Sequence, residues 1–158
     1  MVFNMAEKSS SKFDILGLLS FGFFLVLLGA IFALTPGLPN KIIDFVRDFH
    51  RTEVYSGVIF FAPSSKHPVI YNAAFQFCLV FAIFQVVVLV ARFAIRDSIG
   101  RKAETLSGIV FWFGAAAALN SLIFASLDWF VFLGWLIVLI GLAIVIRSAV
   151  AFAFWGKG

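Results

Sequence analysis

Long apolar runs, almost free of charged side chains, are the feature of this sequence that most constrains its fold. Residues 15–34 form one uncharged run. About twenty helical residues at ~1.5 Å each are enough to cross a ~30 Å hydrocarbon core. Three similar runs follow at residues 69–90, 106–127 and 130–154, and only the last contains a charge, Arg147. The pattern predicts an all-α integral membrane protein with four transmembrane helices.

The composition independently favours lipid over water as the solvent of this chain. Hydrophobic residues make up 63% of the 158 residues and charged residues only 13%, whereas soluble domains carry about a quarter charged residues. The mean hydropathy is +1.08. A water-soluble domain of this length needs a charged surface that this sequence cannot supply. We therefore expect the bilayer to be its first partner.

The first apolar run could also be a cleaved signal peptide, because Lys8 and Lys12 precede it. A signal peptide, however, has a shorter apolar region of about 7–15 residues. The best small-residue cleavage position near Thr35 is followed by Pro36, which is unfavourable there. We therefore predict a retained span. Residues 1–14 are expected to form a cytoplasmic tail, and residues 15–158 a single transmembrane four-helix bundle.

The segment at 35–68 is predicted to be a structured loop on the outer side. Prolines and a glycine at 36–39 end the first helix. Apolar residues within 40–51 recur at i, i+3, i+4 and i+7, which predicts a short amphipathic helix lying on the membrane surface. The apolar stretch 54–62 is too short to span, so it is either extended or a shallow dip into the interface. The apolar positions of the amphipathic helix are Ile42, Phe45, Val46 and Phe49.

The distribution of basic residues predicts that both termini are cytoplasmic. With the N-terminus inside, eight basic residues fall on the inner side and four on the outer side, while the acids divide four and four. An excess of Lys and Arg marks cytoplasmic loops, so we expect the N-in, C-in topology in the cell membrane. The inner basic residues are Lys8, Lys12, Arg92, Arg96, Arg101, Lys102, Arg147 and Lys157; the outer ones are Lys41, Arg47, Arg51 and Lys66.

The inner basic residues near the span ends are predicted to contact lipid headgroups and to set the topology. Arg92, Arg96, Arg101 and Lys102 are expected in one charged loop over 92–102 that also contains acids. Nucleic-acid binding would need a denser basic cluster on a water-soluble module, so no nucleic-acid partner is expected. Arg147 lies about eight residues before the end of its run, from where its long side chain can extend to the inner headgroups.

Polar side chains inside the runs are few, and we predict one contact between helices. Gln76 and Asn120 each lie seven residues from the predicted outer end of their runs, which places them at equal depth in antiparallel spans. A hydrogen bond between them would be worth roughly 0.6 kcal/mol and would fix helix register. Gln85 is half a turn around the helix from Gln76, so no polar stripe indicates a pore within one chain.

Catalysis, cofactors and metals have little support in the sequence. The single cysteine, Cys78, lies in an apolar run without a nearby histidine or cation. Neither histidine, His50 nor His67, lies in a span, which excludes a bis-histidine haem there. Asp44, Asp48 and His50 could be metal ligands by residue type, but on a helix Asp44 and Asp48 share a face from which His50 points away. We expect no enzyme activity, cofactor or metal site.

Glycine and small-residue spacing is the most informative remaining signal. Glycines seven residues apart occur in the first and last spans, and small residues follow one face of the third. Such faces let helices approach closely in lipid, within the chain or against another protein. We therefore predict a non-catalytic multi-pass membrane subunit that packs within or stabilises a larger membrane complex. The alternative is a homo-oligomeric channel or small-solute carrier. The small residues are Gly22 and Gly29; Gly134 and Gly141; and Gly114, Ala118, Ser121 and Ala125.

Overall fold

Five helices and one β-hairpin make up the protein in the computed structural model, which describes residues 14–124 and 127–155. The predicted tail therefore lies outside the described residues except for Asp14, as does Ala125 of the small-residue face. In chain order the elements are α1 (Ile15–Leu34), α2 (Leu38–Arg47), β1 (Phe49–Tyr55), β2 (Val58–Pro63), α3 (Pro68–Ala94), α4 (Ile99–Ile123) and α5 (Trp129–Trp155).

Four of these helices, α1, α3, α4 and α5, are long and apolar enough to cross a membrane. Short connections join α3 to α4 and α4 to α5, so these helices run antiparallel to their neighbours. The start of α1 and the α3–α4 connection therefore lie at one end of the molecule, which we call the arginine end. The hairpin and the α4–α5 connection lie at the other, the hairpin end. The coarse expectation of an apolar, helical membrane-type chain is confirmed.

The ends of α1 and α2 follow from local sequence chemistry. The carboxylate of Asp14 accepts a hydrogen bond from the backbone N–H of Gly17 at 2.9 Å and so caps the first turn of α1. Gly37 adopts a φ of +70°, which lets the chain turn sharply into α2. The helix α2 ends at Arg47, because the backbone from Phe49 onward is extended. It is therefore shorter than the predicted segment 40–51.

Residues 54–62, for which the sequence allows an extended segment or a shallow dip, belong to an extended hairpin that begins at Phe49. The strands β1 and β2 pair antiparallel, with Phe49 opposite Pro63 and Tyr55 opposite Val58. Gly57 takes a φ of +85° in the two-residue turn, a conformation that glycine adopts at little cost. The Glu53 carboxylate accepts the Gly57 backbone N–H at 2.8 Å. Exposed apolar side chains line β2, namely Val58, Ile59, Phe60 and Phe61.

The predicted charged loop over 92–102 is wrong in its extent. The helix α3 continues to Ala94 and α4 begins at Ile99, so only residues 95–98 connect them. Arg101 and Lys102 belong to the first turns of α4, because Arg, Lys and Glu are good helix formers and the helix need not end where the apolar run ends. At its other end α4 stops at Ile123, four residues before the predicted limit of the span.

The core lies between α3, α4 and α5, and small residues of α4 make it possible. Ala115 and Ala116 are buried together with Tyr71 of α3. A β-carbon on Gly114 would collide with the side chain of Leu139 in α5. The missing side chain at position 114 therefore makes room for Leu139 where α4 and α5 meet.

The helix α1 packs on α3 mainly through aromatic rings and contains no buried residue. The rings of Phe23 and Phe84 stack with their centroids 3.9 Å apart. The Phe24 ring meets Phe77 and Phe81 edge-on, at 5.0 and 5.5 Å. Most of the surface of α1 stays open, so lipid or another protein must cover it in a membrane.

Candidate functional site

A buried arginine links three parts of the chain at the arginine end. The Arg92 guanidinium, near the end of α3, is only 6% exposed. It donates to both carboxylate oxygens of Asp14, at 3.2 and 2.9 Å, and to Asp97 at 2.7 Å. Asp97 also accepts from Arg101 of α4 at 2.9 Å. We call Asp14, Arg92, Asp97 and Arg101 the Arg92 cluster.

The electrostatics of the cluster favour ionised carboxylates. Burial raises the pKa of Asp14, but hydrogen bonds from Arg92 and from the Gly17 N–H outweigh it, so the pKa lies below its usual value. Burial likewise raises the pKa of Asp97, but hydrogen bonds from the Ser98 N–H and the Arg92 side chain outweigh it, so this pKa is also lowered. Within the described chain, the Nε of Arg92 is buried without a hydrogen-bond partner.

The geometry of the Arg92 cluster ties the start of α1 to the α3–α4 connection. One cation between two carboxylates holds these segments together without presenting an open acid, base or nucleophile. Arg92 was predicted to contact lipid headgroups; its burial leaves no room for that role, because both terminal nitrogens are occupied by carboxylates. Its contribution to the topology stays a prediction.

The other basic residues predicted for this end are more open. Arg96 is exposed in the connection and has a φ of +53°, a left-handed conformation unusual for a side-chain-bearing residue. The Lys102 ammonium lies 4.8 Å from the centre of the Phe93 ring. Arg147 lies 3.7 Å from the Glu104 carboxylate, and both side chains are more than half exposed. Contact of these residues with headgroups stays a prediction.

The contact between Gln76 and Asn120 stays a prediction, but the two residues do not lie at equal distances from the ends of their helices. Both residues lie on exposed parts of α3 and α4. Because α4 ends at Ile123, Asn120 is about one turn from its helix end, whereas Gln76 is more than two turns from Pro68. The premise failed because an apolar run extends past the helix into the following turn.

A second polar cluster, at the hairpin end, was not foreseen. The Asp48 carboxylate accepts from the backbone N–H and the hydroxyl of Ser65, each at 2.7 Å, and lies 2.9 Å from the His67 Nε2. The pKa of Asp48 is lowered to about 2, first by the Ser65 hydroxyl and then by His67. This Asp48 cluster joins the end of α2, the end of the hairpin and the start of α3.

Proton positions in the Asp48 cluster do not suit nucleophilic catalysis. The His50 Nδ1 lies 2.7 Å from the Asp48 carbonyl oxygen, which can only accept, so that nitrogen carries a proton. Ser64 Oγ is 3.0 Å from the same nitrogen and cannot donate to it. At His67, the Nε2 likewise donates to the Asp48 carboxylate. Neither serine therefore faces a basic nitrogen that could activate it.

The charged residues of both clusters are visible in the sequence, but their spacing along the chain does not predict which of them pair. Asp14 stands directly before one apolar run and Asp97 seven residues after the end of another at position 90, so antiparallel spans bring them to one end. Asp48 and His67 are nineteen residues apart, and only the hairpin between them makes them neighbours. In the described part of the chain, no group of three or more His, Cys, Asp or Glu residues could hold a metal ion.

Comparisons with protein-family models, with curated proteins and with solved structures give no match for this chain.

Proposed function

We propose that this chain is a non-catalytic multi-pass membrane subunit that packs within, or stabilises, a larger membrane complex. The observation that carries the proposal is the position of its spaced glycines. Gly22 and Gly29 of α1, and Gly134 and Gly141 of α5, are all exposed. A β-carbon at any of them would have no neighbour within 4 Å. Their close-packing faces are thus unused within residues 14–124 and 127–155.

The residues between these glycines support the same proposal. In α5, Val138 and Val145 alternate with Gly134 and Gly141 at heptad spacing, and both valines are exposed. Small and β-branched residues at this spacing form a shallow seam into which a neighbouring helix fits. In α1, Val26 lies between Gly22 and Gly29 in the same way and is 69% exposed. Lipid chains need no such seam.

Exposed amide groups at the hairpin end also favour a protein partner. Gln76 is exposed on α3 more than two turns from the helix start. An amide that faces hydrocarbon without a hydrogen-bond partner costs free energy. A polar side chain from another chain would remove that cost. This observation equally suits the second candidate function, a homo-oligomeric channel or carrier whose path runs between chains.

The proposal includes an orientation with the arginine end in the cytoplasm. It follows from the excess of basic residues at that end. The helix α2 would then lie on the outer surface, with Leu38 buried against the protein and Lys41, Asp44 and Arg47 exposed to water and headgroups.

Affinity purification from mild detergent, followed by mass spectrometry, tests the subunit proposal. We expect defined partner polypeptides with the native chain and their loss from a Gly134→Leu, Gly141→Leu double variant, because leucines fill the seam. An Ile140→Phe variant is the matched control, since Ile140 is 51% exposed but lies off the seam. Unchanged partners in the double variant would contradict the proposal. A pure homo-oligomer with no other polypeptide would favour the channel instead.

A further inference from the structure

An apolar cavity opens between α3, α4 and α5 at the arginine end. Its volume is about 380 Å³, within the ~300–1,000 Å³ typical of small-molecule pockets. Leu89 of α3, Ala103 and Leu106 of α4, and Val150 of α5 form its apolar walls. Among the residues that the structure describes, Lys102 is the charged one that lines it.

The polar and apolar groups of this cavity are separated along the helix axes. Lys102 and Phe93 lie close to the α3–α4 connection, whereas Leu89 and Leu106 lie about one turn further from it. The Lys102 ammonium rests over the Phe93 ring at 4.8 Å. The cavity therefore presents a cation at its mouth and hydrocarbon towards the membrane interior.

The charge at the mouth is uncompensated within the described residues. No carboxylate there forms an ion pair with Lys102, and Glu104, two residues away, is engaged by Arg147 at 3.7 Å. Asp97 already lies at the start of α4, where its carboxylate accepts the Ser98 N–H at 2.7 Å, so the attraction for an anion comes from the Lys102 ammonium. The mouth of the cavity therefore favours an anion.

We propose that this cavity binds one anionic membrane lipid, with its headgroup phosphate on Lys102 and part of an acyl chain between Leu89, Leu106 and Val150. Charge complementarity selects the headgroup, and the apolar walls take the chain. The site differs from the Arg92 cluster, whose arginine is already neutralised by carboxylates. It is independent of the subunit proposal, because it requires no partner protein.

Native mass spectrometry of the full-length protein in detergent tests this inference with two probes, phosphatidylglycerol and phosphatidylcholine of identical acyl chains. We expect one phosphatidylglycerol per chain, bound about fivefold more tightly than phosphatidylcholine, the factor that corresponds to ~1 kcal/mol for one basic residue near an anionic surface. Lys102→Gln should remove that preference. Lys41→Gln, an exposed lysine at the hairpin end, is the matched control and should keep it.

Filling the cavity tests the acyl-chain part separately. Leu106 is 37% exposed, so Leu106→Trp can occupy the cavity without displacing the core, and Val150→Phe does the same from the opposite wall. Each should weaken retention of both lipids several-fold in protein that still elutes as a folded species. Equal binding of the two lipids to the native chain, no effect of Lys102→Gln, or full retention in both filled variants would overturn the inference.

Discussion

Arg92 is the residue whose environment departs most from what a membrane sequence alone predicts. A buried guanidinium is costly unless its charge is neutralised and its donors are occupied. Asp14 and Asp97 do both, and the two carboxylates approach from segments far apart in sequence. The side chain therefore holds the start of α1 against the α3–α4 connection, where the aromatic contacts of α1 do not reach.

Replacing Arg92 by glutamine should destabilise the protein by about 2–4 kcal/mol, because two carboxylates would lose their shared cation in a partly buried site. Unfolding by denaturant in detergent micelles measures the change. An Arg96→Gln variant serves as the control, since Arg96 is exposed, and should stay within ~0.5 kcal/mol of the native chain.

The same variant should also change the response to acid. Because the pKa values of Asp14 and Asp97 are lowered on folding, their contribution to stability is full above the ordinary carboxyl pKa of 3.8 and is lost as the pH falls from there through the lowered pKa values. In Arg92→Gln this acid-induced loss should be shallower, because the carboxylates no longer gain from ionisation. Equal slopes for both proteins below pH 4 would mean that the cluster does not stabilise the fold.

At the scale of elements, the missing side chain of Gly114 makes room for Leu139 where α4 meets α5. Gly114 faces Leu139, which is 6% exposed and belongs to the core. Gly108, on the same helix, has no atom within 4 Å of the position that a β-carbon would take. Gly108 is therefore a matched control for Gly114, because both glycines lie in α4 and only Gly114 is packed against another side chain.

Gly114→Ala should lower stability by about 1 kcal/mol, since overpacking costs ~1–3 kcal/mol and the better helix propensity of alanine returns up to ~1 kcal/mol. Gly108→Ala should leave stability unchanged or slightly higher. Leu139→Ala removes the side chain that the new β-carbon at position 114 would meet. In a double-mutant cycle, the loss of stability in the Gly114→Ala, Leu139→Ala variant should therefore be smaller than the sum of the two single losses. Equal effects of the two single glycine variants would remove the packing argument.

The membrane-type helices were predictable because an apolar run long enough to cross a bilayer indicates a helix without any knowledge of tertiary contacts. Their ends were less so: α4 begins at Ile99 because Arg101, Lys102 and Glu104 extend the helix beyond the apolar run. The hairpin escaped prediction as such because β2 lacks polar alternation, with apolar residues on both faces from Val58 to Phe61. Its extended conformation was one of two expected alternatives.

The candidate sites were less predictable, for a physical reason. Arg92, Arg101 and Lys102 were all recognised as charges near a membrane boundary, but a boundary charge can face a headgroup, a carboxylate or a cavity. Only tertiary packing distinguishes these environments. The Arg92 cluster and the cavity beside Lys102 both lie at the arginine end, yet among the described residues carboxylates neutralise Arg92 and none pairs with Lys102.

For the whole molecule, the contacts proceed from α1 to α3, from α3 to α4 and from α4 to α5. The first and last helices thus keep large apolar faces open, with Val26 and Ile137 about 70% exposed. These faces can be stable only in hydrocarbon or against another protein. We therefore expect the hairpin end and the arginine end to lie on opposite sides of a bilayer.

Cysteine labelling in intact cells tests that claim most directly. In a Cys78→Ala background, single cysteines replace Ser56 in the hairpin turn or Ser98 in the α3–α4 connection, both exposed positions. A membrane-impermeant maleimide should label the cysteine at position 56 in intact cells, and the cysteine at position 98 only after the membrane is permeabilised. Labelling of both cysteines to the same extent without permeabilisation would contradict the account.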